Sequence, residues 1–175
     1  METNYVELIK QRFLSGNLSK PEELYDMLLV KMQKDKQETV IPWLAQFKGE
    51  HVLDIGGADG YLIKDMNFNT KTVLDKRSFT KLDGIDYIYE KYQDQDYNQD
   101  LVIMSEFLHL FTYREIEKFV DNIKCNTIII ENKYDDFLDL RLRMWSGGRC
   151  LDPQIMSDIL MCKPIDLGEY LAWVK

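Results

Sequence analysis

The stretch HVLDIGGADGYL, residues 51–62, decides how the rest of the chain is read. Its opening HVLDI (51–55) has the apolar run of a short buried strand. A turn carrying Gly56, Gly57 and Gly60 follows, and YLIKDM (61–66) then reads as helical. Glycines there let the chain reverse sharply and let a ligand approach the backbone at the carboxyl edge of a sheet. A dinucleotide fingerprint beginning at Gly56 would need glycine at Ala58 and glycine or alanine at Tyr61, and both conditions fail. A P-loop fails too, because no Gly-Lys-Ser/Thr follows. What remains is Asp54-x-Gly56-x-Ala58-x-Gly60, with a carboxylate inside the motif. That carboxylate would repel a pyrophosphate and suits a ligand bearing an amine.

Working outward, KTVLD (71–75), DYIYE (86–90), DLVIMS (100–105) and NTIIIEN (126–132) repeat the strand texture. Thr112-Tyr113-Arg114-Glu115 has capping-box form ahead of Ile116, Phe119, Val120 and Ile123 at helical spacing. Asp152 and Pro153 open a late helix as cap and first-turn residue, and YLAWV (170–174) closes the chain as a strand. Continuous apolar strands separated by helices predict a parallel sheet covered on both faces. Residues 87–100, rich in Tyr, Asp and Gln, read as a strand edge plus a solvated loop.

The first 47 residues read as three helices. Val6, Ile9 and Phe13 mark one that stops at Gly16; a Ser19-to-Glu22 capping box opens another through Leu24, Met27, Leu28 and Met32. A polar break at 34–37 precedes a third, ending near Phe47, whose first turn must hold Pro42. The expected organisation is one structural domain: a helical N-terminal cap over 1–47 and an α/β sheet unit over 48–175.

Composition narrows the function. The chain has 175 residues, a net charge of −8 and 45% hydrophobic residues, as a globular domain does. It holds no apolar run of the ~20 residues a membrane helix needs, and METNYVELIK lacks a signal-peptide core. Its acidity opposes binding to nucleic acid, which demands a cationic face. Cys125, Cys150 and Cys162 are odd in number and widely spaced, as reduced thiols of a cytoplasmic protein would be.

The second strand ends in Asp75, placed to accept hydrogen bonds from a ribose diol or, alternatively, to cap the turn at 76–78. The glycine turn and Asp75 at consecutive strand ends resemble motifs I and II of class I S-adenosylmethionine-dependent methyltransferases, and the likeness extends over about 38–175. The resemblance implies a Rossmann-like, mostly parallel sheet with an antiparallel last strand and helices on both faces. It implies S-adenosylmethionine as cofactor, S-adenosylhomocysteine as product and no metal. It places Asp54, Gly56, Gly57 and Gly60 under the methionine part and Asp75 on the ribose, with Lys91 and Ser105 as further cofactor-binding positions. At Lys91 the family carries an acid, and Glu90 is adjacent.

DLVIMSEFLHLFTYREIEKF (100–119) is similar to a segment of caffeate-type and hydroxyindole-type small-molecule O-methyltransferases, with Leu108-His109 at its Leu-His pair. In that family the matching histidine is the general base and an acid ending the fifth strand orients it; here these are His109 and Glu131. LDLRLRMWSGGRCLDPQIMSDIL (138–160) resembles the stretch that lines the acceptor pocket, with Gly147 and Gly148 at its double glycine. The acceptor candidates are Phe107, Tyr113, Met144 and Trp145.

The chemistry agrees. An unperturbed imidazole of pKa ~6.5 is mostly neutral at pH 7 and can take the proton of a phenol or alcohol. His51, at the start of a strand, lies on the wrong edge. Besides Lys91, two features depart from the family: the first 47 residues are too short for its dimerisation domain, and Cys150 replaces a second orienting acid.

The expected activity is methyl transfer to a hydroxyl of a small molecule, aromatic compounds among the candidates. The alternatives are N- or C-methylation of a small molecule or carrier-bound peptide, and a degenerate domain serving as a binding partner. The expected partner is a small-molecule acceptor, with no membrane or nucleic acid; a homo-oligomer or partner subunit stays open.

Overall fold

Seven strands form one sheet in the order β3-β2-β1-β4-β5-β7-β6. They are β1 (Lys48–Ile55), β2 (Asn67–Leu74), β3 (Asp86–Ile88), β4 (Leu101–Ser105), β5 (Asn126–Asn132), β6 (Ile165–Leu167) and β7 (Tyr170–Val174). The computed structural model describes residues 34–77, 80–95, 97–133 and 147–175. The two helices expected before residue 33, together with Met144 and Trp145, lie outside these.

Strands β1 to β5 pair in parallel, and β7 runs antiparallel to both β5 and β6. This is the mostly parallel sheet with an antiparallel last strand that the sequence leads one to expect. Alternate residues of each central strand feed two separate cores. Val52, Val73, Ile103, Ile128 and Ile130 join one; Leu53, Ile55, Leu74, Val102, Met104 and Ile129 join the other. The first core is closed by Val40, Leu44, Leu62, Ile63 and Met66. The second is closed by helix α2 (Tyr113–Asn122), through Ile116, Phe119 and Val120, and by helix α3 (Pro153–Leu160), through Met156 and Leu160.

Both caps expected within the described residues form, whereas the Ser19–Glu22 box lies outside them. Thr112 and Glu115 make a reciprocal capping box on α2, and the Asp152 carboxylate accepts from Gln154 and Ile155 at the start of α3. Helix α1 (Ile41–Leu44) has Pro42 at its second position, directly after a stretch of π-helix.

Three expectations are corrected. The segment 61–66 is a chain of turns, Ile63 bonding to Gly60 and Met66 to Ile63, and not an α-helix. The parallel register pairs Lys48 with Asn67 and Ile55 with Leu74, so residues 56–66 must carry the chain back along the whole strand. That return is about 23 Å, whereas an α-helix over 56–66 would climb only about 16 Å; the chain stays more extended. Second, 34–37 is no break: helical backbone runs over 34–44, widened to a π-helix at Lys36–Val40, so Pro42 lies within the helical run and not in its first turn. Third, Tyr92 and Tyr97 are not merely solvated. Tyr92 packs edge-on against Phe107, Phe111 and Phe119, and Tyr97 against Phe119. The edge strand β6, with Ile165 and Asp166 exposed, carries no apolar pattern that would announce it.

Candidate functional site

In a parallel sheet, ligands sit beyond the carboxyl ends of the strands where the strand order reverses. Here that point lies between β1 and β4, whose crossovers lead to opposite halves of the sheet. Strand β1 delivers Asp54 and the glycine turn to this edge, and β4 delivers Ser105, Glu106 and Phe107.

Asp54 is 1% exposed, and neither of its carboxylate oxygens has a hydrogen-bond partner. Burial pushes its pKa up to about 7, against the opposing pull of the Lys36 ammonium. The carboxylate lies directly under the turn: a Cβ on Gly57 would stand 2.5 Å from its Cγ. Gly56, with φ of +74°, makes room for the Phe107 ring, which a Cβ would approach to 2.7 Å. These two glycines therefore serve the packing of the turn on its own protein. Gly60, with φ of +81°, does the same against Ile85 and Val73. Ala58 takes the left-handed conformation without being glycine (φ +52°).

Asp75 follows β2 and is nearly buried, yet both its oxygens are engaged by Arg77. Oδ1 accepts from the Arg77 backbone N–H at 2.9 Å and from Nε at 3.2 Å, and Oδ2 accepts from Nη2 at 3.2 Å. The turn-capping arrangement is thus the one formed, and a ribose would have to displace the guanidinium. Ser105, at the end of β4, has a buried Oγ without a partner. Lys91 follows β3 and is exposed.

His109 sits on a single 3₁₀ turn, Leu108–Leu110, and Glu131 ends the buried run of β5. Nδ1 of His109 lies 3.7 Å from Oε2 of Glu131, an ion-pair separation slightly beyond hydrogen-bond length. The other oxygen of Glu131 accepts from the Leu108 N–H at 2.9 Å, which fixes the turn carrying the histidine. Burial raises the Glu131 pKa, and His109 opposes this.

Phe107 reaches the edge of the aromatic group formed with Tyr92, Phe111 and Phe119. Tyr113 is held as a bridge: its hydroxyl accepts from the Asp152 N–H at 2.8 Å, and the Arg149 guanidinium lies 4.4 Å above its ring. The structure thus brings Asp54 to Gly57, Phe107 to Gly56 and His109 to Glu131.

Sequence reasoning missed Lys36 and Glu106. Glu106 takes a left-handed conformation (φ +52°) directly after β4, pairs with the Lys36 ammonium and accepts from Asn132. Burial disfavours its charge, yet Lys36 and Asn132 hold its carboxyl below the usual range. An acid directly after an apolar strand is a legible signal. Lys36, arriving from 34–44, leaves none in the local sequence. Among the described residues, no three His, Cys, Asp or Glu side chains are grouped to hold a metal ion, and no helix is long and apolar enough to cross a membrane.

No protein-family model matches the chain, and no curated protein matches it. Solved structures do. The mitomycin 7-O-methyltransferase MmcR superposes with a TM-score of 0.64 at 14% identity, over 93% of this chain and 59% of that one. An O-methyltransferase family 2 protein from Planctomyces limnophilus, in complex with apigenin, gives 0.66 at 12% identity, over 89% of this chain and 61% of that one. DhpI, solved with S-adenosylhomocysteine, gives 0.63 at 14% identity, over 91% of this chain and 92% of that one. The chain thus spans about three fifths of the first two and nearly all of the third. At these identities the likeness is one of fold, and the described residues take the fold of class I S-adenosylmethionine-dependent methyltransferases.

Proposed function

We propose that the chain binds S-adenosylmethionine at the β1–β4 edge and transfers its methyl group to the hydroxyl of a small, aromatic acceptor. The observation that carries this reading is Asp54: a buried carboxylate without a donor, under a glycine turn, at the strand-order reversal. Burying an unsatisfied acid costs free energy, and a ligand's ammonium group would offset that cost. The methyl sulfonium supplies an already activated methyl group. The protein's tasks are then to hold the acceptor in line, exclude water and take a proton.

Asp54 receives the amino group of the cofactor's methionine part. Asp75 takes the ribose diol once the Arg77 side chain, 62% exposed, is displaced from it. Ser105 and Lys91 flank the cofactor from the ends of β4 and β3. His109 keeps its Nδ1–H toward Glu131 and accepts the acceptor's proton at Nε2, and Glu131 stabilises the imidazolium that results. Phe107 and Tyr113 supply flat apolar surface beside it, with Met144 and Trp145 as further acceptor contacts.

The test is turnover with methyl-labelled S-adenosylmethionine and a panel of phenols and hydroxylated aromatic acids. Label is expected on a phenolic oxygen, and His109→Ala is expected to lower the rate by roughly 10²–10⁴. A loss under about threefold, far below the range for a general base, contradicts the role given to His109. Label found only on amines contradicts O-methylation.

A further inference from the structure

Nothing above assigns a role to Lys36 and Glu106, which meet across the mouth of the same edge. Lys36 lies on the helical run 34–44; its neighbour Gln37 donates to the Tyr61 hydroxyl, just after the glycine turn. Lys36 itself pairs with Glu106, just after β4, with side-chain exposures of 19% and 12%. Its ammonium also stands 5.7 Å from the centroid of the buried Tyr170 ring. One turn of helix thus bridges the two loops that frame the β1–β4 reversal, and its Lys36 ammonium pairs with Glu106 and pulls electrostatically on Asp54. Asn132 fixes Glu106 from the β5 side.

The charges at this mouth are few. Asp75 is neutralised by Arg77, and Glu131 faces His109. Among the described residues, Asp59 of the glycine turn also acts on Asp54, with its carboxylate accepting from the Tyr61 N–H, and the Lys36–Glu106 pair stands beside them. The cofactor carries an ammonium, a carboxylate and a sulfonium, whereas the product has a neutral thioether in place of the sulfonium. The two ligands differ by one positive charge, so nearby fixed charges decide which the site prefers.

We propose that Lys36 and Glu106 act as opposed charge-setting residues: Lys36 lowers, and Glu106 raises, the preference of the site for the cationic cofactor over its neutral product. The inference rests on the cofactor reading given above. Lys36 thereby keeps the product able to compete, which couples turnover to whatever reaction removes S-adenosylhomocysteine.

Calorimetric titration with S-adenosylmethionine and with S-adenosylhomocysteine tests this on the wild-type chain, Lys36→Met, Lys36→Arg and Glu106→Gln. The ratio of the product's Kd to the cofactor's Kd is expected to rise about fivefold in Lys36→Met and fall about fivefold in Glu106→Gln, the order for one charge screened largely by water. Lys36→Arg keeps the wild-type ratio. Loss of a merely structural contact would move both partners' variants in the same direction, and that result, or an unchanged ratio in both, overturns the proposal. Lys36→Gln replaces Lys36→Met if the latter does not fold. If the wild-type chain binds neither compound at millimolar concentration, the cofactor reading fails and this inference falls with it; normal wild-type binding with an unmoved ratio sinks the inference alone.

Discussion

Asp54 carries a strong physical tension, because burial raises its pKa from the ordinary 3.8 to about 7 with no hydrogen-bond donor to compensate. In the folded state the acid form is favoured, so between about pH 4 and pH 7 the unfolded chain binds fewer protons than the folded one. Stability contributed by Asp54 is therefore full below pH 4 and is lost as pH rises toward 7. Asp54→Asn keeps the shape without the charge. It is expected to raise the free-energy difference between folded and unfolded states by roughly 2–4 kcal/mol at pH 8 and by much less at pH 4. Chemical denaturation at the two pH values checks this, and an equal effect at both contradicts the buried, ionisable carboxylate. Such a residue, retained at a stability cost, is what a ligand-binding acid looks like before its ligand arrives. Asp75 shows the opposite arrangement: its charge is already met by Arg77, so its availability depends on one exposed side chain moving.

At the scale of elements, structure is legible in the sequence wherever its cause is local. The strand at Asn126–Asn132 has the bounds its apolar run suggests. The Thr112 box and the Asp152 cap form because their side chains meet donors two or three residues away. Thr112→Ala is expected to destabilise the fold by about 1 kcal/mol through loss of the α2 cap; urea unfolding measures it, and an unchanged midpoint contradicts the cap's role. What was not legible depends on partners far along the chain. The turns of 61–66 are set by how far the chain must travel between β1 and β2, a distance fixed by strand register and not by the helical look of YLIKDM. Tyr92 and Tyr97 sit in a polar stretch, and only the aromatic rings of 107, 111 and 119 show where they belong. The candidate site divides in the same way. Asp54, the glycines and the His109–Glu131 pair stand at readable strand ends, whereas Lys36 reaches the edge from a separate helical run.

For the whole molecule, the strand order matters more than any single motif. The reversal between β1 and β4 collects, at one edge, residues from 54 to 60, from 105 to 109 and at 131, with Lys36 laid across. Alternation places Asp54 on the side of the core closed by Val40 and Leu44, and Glu131 on the side closed by α2 and α3. The proposed cofactor-binding acid and the proposed base pair therefore approach the edge from opposite faces of the sheet. The central claim is that this edge binds S-adenosylmethionine through Asp54. Equilibrium dialysis of labelled S-adenosylmethionine against the wild-type chain and Asp54→Asn tests it most directly. The expected result is one molecule bound per chain, with affinity reduced at least about tenfold in Asp54→Asn, as for loss of a charge-assisted hydrogen bond. No binding at millimolar ligand, or equal affinity in the two proteins, would contradict it.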